Sequence, residues 1–256
     1  MTDFLKPNSP VGDPIRALAE AEQDGVLALI IGVEGPSYRP LGAFMAVLAG
    51  GKRVGSLSSG CVEADIAIHA QEALDSAKPV ICRYGRGSAA LDIVLPCGGG
   101  LEILLLPRPE RALLAQLSAA RAARRPQSLI ADIETGALHI AATGETGRNG
   151  ATFCTRLTPD IMFYTFGKGP EASTFAGLVQ AAGYPNLLLS PDTETLGFGT
   201  QAGCQTQHLL KPAFPAALSP DKYSAVVLFF HDHEWEPPIL VAALDSPAFY
   251  IGAQGS

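Results

Sequence analysis

The chain has 256 residues, 47% of them hydrophobic, and 18 Lys and Arg against 25 Asp and Glu give it a formal net charge of -7. Phosphate backbones are bound by clustered cations that this acidic sequence lacks, so nucleic acid is excluded as a partner. The one basic cluster, Arg121, Arg124 and Arg125, follows an Ala/Leu-rich stretch and reads as a solvated helix end.

The length suits one large core or two modest ones, and two domains is the expectation. The first ten residues, MTDFLKPNSP, carry no basic region followed by an apolar run and a small-residue cleavage site. They do not read as a signal peptide, and a cytoplasmic location is expected. Apolar runs over residues 26–33 and 225–230 are far shorter than the ~20 residues a membrane helix requires, so they read as buried strands and no membrane partner is expected. Five cysteines, an odd number at irregular spacing, argue for free thiols in a reducing compartment rather than a disulfide framework.

In chain order, Asp13 before Pro14 signals a helix, with Ile15, Leu18, Ala19 and Glu22 at helical spacing and Gly25 as its stop. Residues 26–33 then form a continuous apolar strand, followed by short strands over 43–48 and 52–56 with Gly50-Gly51 as the turn. A second helix is predicted near Cys61. It carries Val62, Ile66, Ala70, Ala73 and Leu74 on one face, with Ser59-Gly60 as its cap. Strands over 80–84, 91–95 and 101–106 complete a first domain, whose end is marked by Pro107-Arg108-Pro109 because proline cannot continue a ladder. A helix over 110–125 and a hairpin of 129–133 with 138–142 read as a bridge. From Asp160 the pattern becomes strand (161–166), glycine turn (167–169), helix (170–182) and strand (187–190), a βαβ unit. A further apolar strand over 223–230 ends at His231-Asp232-His233, where open parallel sheets commonly place ligand-contacting loops.

Three segments of the first domain carry chemistry. Gly55-Ser56-Leu57-Ser58-Ser59-Gly60-Cys61-Val62-Glu63-Ala64-Asp65 puts Cys61 at the predicted first turn of a helix. Orphan N–H groups there would favour a thiolate or bind a phosphate. Taken alone, Cys61 reads more simply as a small buried residue packed under a turn. In Leu95-Pro96-Cys97-Gly98-Gly99-Gly100-Leu101-Glu102, three glycines let backbone approach a ligand closely, at an entropic penalty that a plain strand connection does not require. The third segment, residues 35–45, offers one strong cation, Arg39, suited to a phosphate or another planar anion, although a plain surface arginine is an equal reading. No CxxC is present and the Cys61-to-Cys97 spacing fits no zinc finger or ribbon, but soft thiolates suit a transition metal carried inside an organic cofactor.

Together, in order and spacing, these segments resemble the xanthine dehydrogenase accessory protein family, of the XdhC/CoxI type. The resemblance rests on Gly35-x-Ser37-Tyr38-Arg39 through Gly42-Ala43-x-Met45, on residues 55–65, and on residues 95–102. It implies a protein that binds molybdenum cofactor (Mo-molybdopterin) and shields it. It further implies cooperation with a cysteine desulfurase in sulfuration and delivery of the cofactor to a molybdenum hydroxylase such as xanthine dehydrogenase. The implied cofactor-binding residues are Arg39, Ser58, Ser59, Gly60, Cys61, Glu63, Cys97, Gly98, Gly99 and Gly100, with Cys97 first and Cys61 second as neighbours of the metal. No catalytic residue is implied. Two departures stand out: Ser59 occupies a position where the family usually has a second glycine, and Phe44 one where it often has an arginine, so that a cationic contact is expected to be lost.

The resemblance also implies a Rossmann-type second domain, in which Gly167-x-Gly169-x-x-Ala172 would approach a dinucleotide or related phosphate. Pro170-Glu171 replaces the family's usual His-Val pair. Glu171 puts a negative charge where a pyrophosphate would sit, and Asp192 comes two positions late for a ribose hydroxyl. His231 and His233 number too few to make a metal site without further ligands. The expected fold class is therefore a mixed α/β N-terminal domain (residues 1–109), a bridging helix and hairpin (110–158) and a Rossmann-like domain (159–256), short at its C-terminus against the family. An accessory protein without turnover of its own is the preferred function. An NAD(P)-dependent oxidoreductase using Gly167, Gly169 and His231 or His233 is the alternative, and homo-oligomerisation is left open.

Overall fold

A computed structural model describes residues 12–85, 88, 95 and 98–254, and the chain divides into two compact units, residues 1–159 and 160–256. The strand predicted over 91–95 lies outside the described residues except at Leu95.

The first unit is built on a five-stranded antiparallel sheet of β1 (Val26–Glu34), β2 (Phe44–Val47), β3 (Arg53–Gly55), β4 (Val80–Gly85) and β5 (Gly100–Pro107), in the order β3-β2-β1-β5-β4. Both faces of this sheet are covered, and side chains alternate between them. Val26, Ala28 and Ile30 join Met45, Ile103 and Leu105 under helix α2 (Glu63–Ser76), which contributes Ile66, Ala70 and Ala73. Leu27, Leu29 and Ile31 face the other way, towards α1 (Pro14–Ala19) and α3 (Arg111–Ala122). That double burial is why β1 reads as an unbroken apolar run although its sheet is antiparallel. The first helix ends at Ala19, short of the stop expected at Gly25, whose missing side chain instead leaves room for the Val47 carbonyl, 2.8 Å from where a Cβ would stand.

A second antiparallel sheet follows, of β6 (Gln127–Asp132), β7 (Leu138–Ala141), β8 (Gly147–Asn149) and β9 (Thr152–Leu157), ordered β7-β6-β9-β8. The predicted hairpin is β6–β7, whereas β8 and β9 escape a reading from sequence because β9 alternates Phe153 and Thr155 inward with polar neighbours. Leu114, Leu117, Leu129, Ala131 and Phe153 share one core cluster with β1 and β5, so residues 110–158 pack within the first unit.

The second unit is an all-parallel sheet of β10 (Met162–Gly167), β11 (Asn186–Ser190), β12 (Gln205–His208), β13 (Ser224–Phe229) and β14 (Tyr250–Ala253), ordered β12-β11-β10-β13-β14. This is the Rossmann order, 3-2-1-4-5 counted within the unit. Helices α4 (Pro170–Ala181) and α5 (Thr193–Gln201) pack on each other, with Ala172 and Ala176 of α4 against Leu188, while α6 (Glu236–Leu244) sets Ile239 and Ala243 against Phe166 and Val226 in the other core cluster. No helix among the described residues is long and apolar enough to cross a membrane.

Candidate functional site

Cys61 sits on an exposed loop, not in the first turn of a helix. The helix starts two residues later at Glu63, without the cap expected from Ser59-Gly60, and Glu63 and Asp65 stand in its first turn. These two carboxylates put negative charge at its positive end, which weakens that end as an anion site.

Glu63 is 5% exposed and gathers the loop around its carboxylate. Oε1 accepts from Ser56 Oγ (2.7 Å), Leu57 N–H (3.0 Å) and Ser58 N–H (2.8 Å), and Oε2 from Ser58 Oγ (2.6 Å) and Val62 N–H (3.2 Å). Burial alone would raise its pKa, but these hydrogen bonds, led by the Ser58 and Ser56 hydroxyls, outweigh it and pull the value down to about 2. Its carboxylate acceptors are thus occupied by the loop. Between these anchors Ser59 and Gly60 both take left-handed backbone, φ 63° and 101°. For Ser59 that conformation is strained, whereas a glycine would adopt it freely.

The three motif segments converge. Pro36, Ser37 and Tyr38, then Ser58, Ser59 and Cys61, then Leu95 and Leu101 line one cavity of about 360 Å³ with mostly apolar walls. Glycines make the convergence sterically possible. A Cβ on Gly99 would stand 2.1 Å from the Pro36 carbonyl oxygen, and one on Gly85 would stand 2.2 Å from the Gly99 carbonyl oxygen. The close backbone approach expected of the triple glycine is therefore made to the chain itself at Gly99, whereas Gly98 and Gly60 have open space around them. Gly98 N–H donates to the Leu95 carbonyl (2.9 Å). Cys97 lies outside the described residues.

Arg39 follows the cavity-lining Tyr38 on an exposed loop, its carbonyl accepting from Ser37 Oγ (2.7 Å). Its guanidinium has no partner among the described residues. Phe44 packs with the core cluster on the sheet face opposite α2 and is not among the residues that line the cavity. Tyr38 lines the site although its motif points first to the neighbouring Arg39. It is 66% exposed, and an aromatic ring in a Gly/Pro turn with no core to fill is the signal that marks it.

The remaining described thiols are less available. Burial pushes the Cys82 thiol up to about 11, aided by Asp65 and Glu72 and opposed by a hydrogen bond with Tyr84. Burial and the hydrogen bond from Tyr84 Oη to Asp65 Oδ2 (2.7 Å) raise the Tyr84 phenol as well. Among the described residues no three His, Cys, Asp or Glu side chains come together as a metal site. In the second unit, His231-Asp232-His233 forms the turn into α6, where the Asp232 carbonyl accepts from Trp235 N–H (3.2 Å) and Glu236 N–H (3.1 Å).

The glycine turn of the second unit does not fit a dinucleotide. Gly169 N–H donates to Thr195 Oγ1 (2.9 Å), and Thr195 in turn bonds to Asp192, whose carboxylate caps α5 by accepting from Thr195 N–H (2.8 Å). These bonds to Thr195 hold the Asp192 carboxyl below its usual range. The amide that should meet a pyrophosphate is thus joined through Thr195 to Asp192, the acid already two positions late for a ribose. Gly167 is required by packing, since a Cβ there would stand 2.7 Å from the Phe229 carbonyl and 2.8 Å from the Ala172 side chain. Pro170 and Glu171 open α4, which leaves one amide fewer and one negative charge more at its N-terminus.

A profile of the XdhC and CoxI family matches residues 18–85, from α1 through the Cys61 loop to β4. Over 249 residues the chain is 34% identical to the molybdenum cofactor insertion chaperone PaoD of Escherichia coli (strain K12), covering 94% of this chain and 71% of that protein. The chain belongs to the XdhC and CoxI family. A shorter match, 50% identical over 50 residues, joins 20% of this family member to 15% of a probable xanthine dehydrogenase component of Bacillus subtilis (strain 168). A crystal structure described as a xanthine dehydrogenase from Bacillus halodurans shares the fold, with a TM-score of 0.78 at 23% identity over 94% of this chain and 81% of that one.

Proposed function

We propose that this XdhC and CoxI family member is an accessory protein that binds molybdenum cofactor as cargo, shields it, and inserts it into a molybdenum hydroxylase of the xanthine dehydrogenase kind. Support for sulfuration with a cysteine desulfurase and action in the cytoplasm belong to the same reading. The observation that carries it is the meeting of Pro36, Ser37 and Tyr38 with Ser58, Ser59 and Cys61 and with Leu95 and Leu101 at one cavity with an exposed thiol on its wall. The cargo has three chemical parts, and the residues at hand suit each of them. Tyr38, Leu95 and Leu101 offer an apolar surface for a planar pterin, Cys61 offers a soft donor beside a soft metal centre, and Arg39 with the Gly60 and Cys61 amides offers donors for a phosphate. Cys97, between Pro96 and Gly98 in the sequence, is the second thiol of the proposal and the first choice for the metal. Shielding needs no turnover: a walled cavity that excludes water from the metal suffices.

The test is to purify the full chain from cells that make molybdenum cofactor, then measure released pterin fluorescence and bound molybdenum in it and in Cys61→Ala and Cys97→Ala. Pterin near one equivalent in the parent, lost in either variant, is the expected result. A parent free of pterin and molybdenum that binds NAD(P) would sink the proposal.

A further inference from the structure

We infer that Glu63 is a positioning residue for this site: its buried carboxylate holds the loop of residues 56–62 in the shape that sets Ser58, Ser59 and Cys61 against the cavity. The inference rests on the proposed function for its consequence but not for its geometry. Residues 56–62 form no ladder with any strand among the described residues, so their N–H groups must find acceptors elsewhere. Glu63 supplies three such acceptances, to Leu57, Ser58 and Val62, and takes two hydroxyl donors besides. Ser58 Oγ passes the arrangement on by accepting from Val62 N–H (3.0 Å), as does Ser56 Oγ from Ser59 N–H (3.1 Å).

Leu57 and Val62, both fully buried, pin the two ends of the arch into the core beneath α2. With its ends pinned and its centre wrapped on one carboxylate, the loop is driven through the left-handed pair Ser59 and Gly60 and presents Cys61 outward. A direct ligand role fits poorly, because five donors already fill an acceptor group with about four lone-pair sites. Burial pushes its pKa up, and these donors hold it low. Gln at this position keeps one oxygen for Leu57 and Ser58 but cannot accept from Val62, and Ala keeps nothing.

The experiment compares the full chain with Glu63→Gln, Glu63→Ala and Ile66→Val, the last a core change on the same helix. It reads amide hydrogen exchange, Tm, and pterin retained after expression with molybdenum cofactor. In Glu63→Ala, protection at Leu57, Ser58 and Val62 should fall roughly tenfold or more, the scale of a lost charge-assisted hydrogen bond, while α2 and β1 keep theirs. Pterin retention should fall with it, and Glu63→Gln should lie between Glu63→Ala and the parent in both. Ile66→Val should lower Tm and leave loop protection and pterin retention unchanged. Parent-like protection of the three amides in Glu63→Gln and Glu63→Ala would overturn the inference, as would a loosened loop that retains pterin like the parent. If the parent itself holds no pterin, the cargo reading fails, while the exchange data still decide whether Glu63 holds the loop.

Discussion

At the scale of single residues, the site depends on backbone that only some side chains permit. Ser59 holds φ 63° on the cavity wall, and no hydrogen bond of its hydroxyl to the described residues binds it to that role. Ser59→Gly should therefore leave the protein as stable or up to about 1 kcal/mol more stable, relief of left-handed strain outweighing the added freedom of the unfolded chain. Gly99→Ala should do the reverse. A Cβ placed 2.1 Å from the Pro36 oxygen must push two cavity walls apart, at a loss of about 1–3 kcal/mol on the scale of overpacked interiors. Urea unfolding of the two variants beside the parent checks both signs. Motif letters alone distinguished neither case, since a glycine required by chain-to-chain packing and one with open space around it are spelled alike. Gly99 is of the first kind, Gly98 and Gly60 of the second.

At the scale of elements, sequence pattern worked where burial was periodic and failed where packing overrode it. The strand β10, helix α4 and strand β11 were legible because their apolar spacing changes from strand to helix and back across a glycine turn. Helix α5 was not, because Gly197 and Gly199 lie inside it, each a penalty of about 1 kcal/mol in helix propensity. Tertiary contact explains Gly199, where a Cβ would meet the Leu188 side chain at 2.4 Å. The start of α5 also decides the chemistry of the neighbouring turn, since the Asp192 cap and Thr195 take up Gly169 N–H. NADH and NADPH should accordingly show no binding to the parent in a fluorescence titration. Asp192→Ala should lose about 1 kcal/mol of stability, as removal of an N-cap does, without creating dinucleotide binding. A micromolar NADH affinity in the parent would contradict this account of the turn.

At the scale of the whole molecule, each of the two units has its own core clusters, and substitutions should act on them separately. Leu29→Ala, in the first unit, should destabilise that unit by about 2–5 kcal/mol, and Phe166→Ala should destabilise the second by about 3–5 kcal/mol. Calorimetry of the intact chain should show each variant lowering a different transition, and both lowering the same one would show that the units unfold together. Much of this organisation was already written in the order of residues. The α/β class, the strand-turn-helix-strand plan of the second unit, and the three motifs that announce the XdhC and CoxI family all follow from local spacing, to which a linear pattern is sensitive. Tertiary structure decided what local spacing cannot express. It alone brought residues 36–38, Ser58, Ser59 and Cys61, and Leu95 and Leu101 to one cavity, turned Glu63 inward beneath the Cys61 loop, and closed the Gly169 turn with Thr195. Each of those outcomes joins atoms from separate stretches of chain, and the packing and hydrogen-bond requirements that select them exist only once the sheet and helices have brought the stretches together.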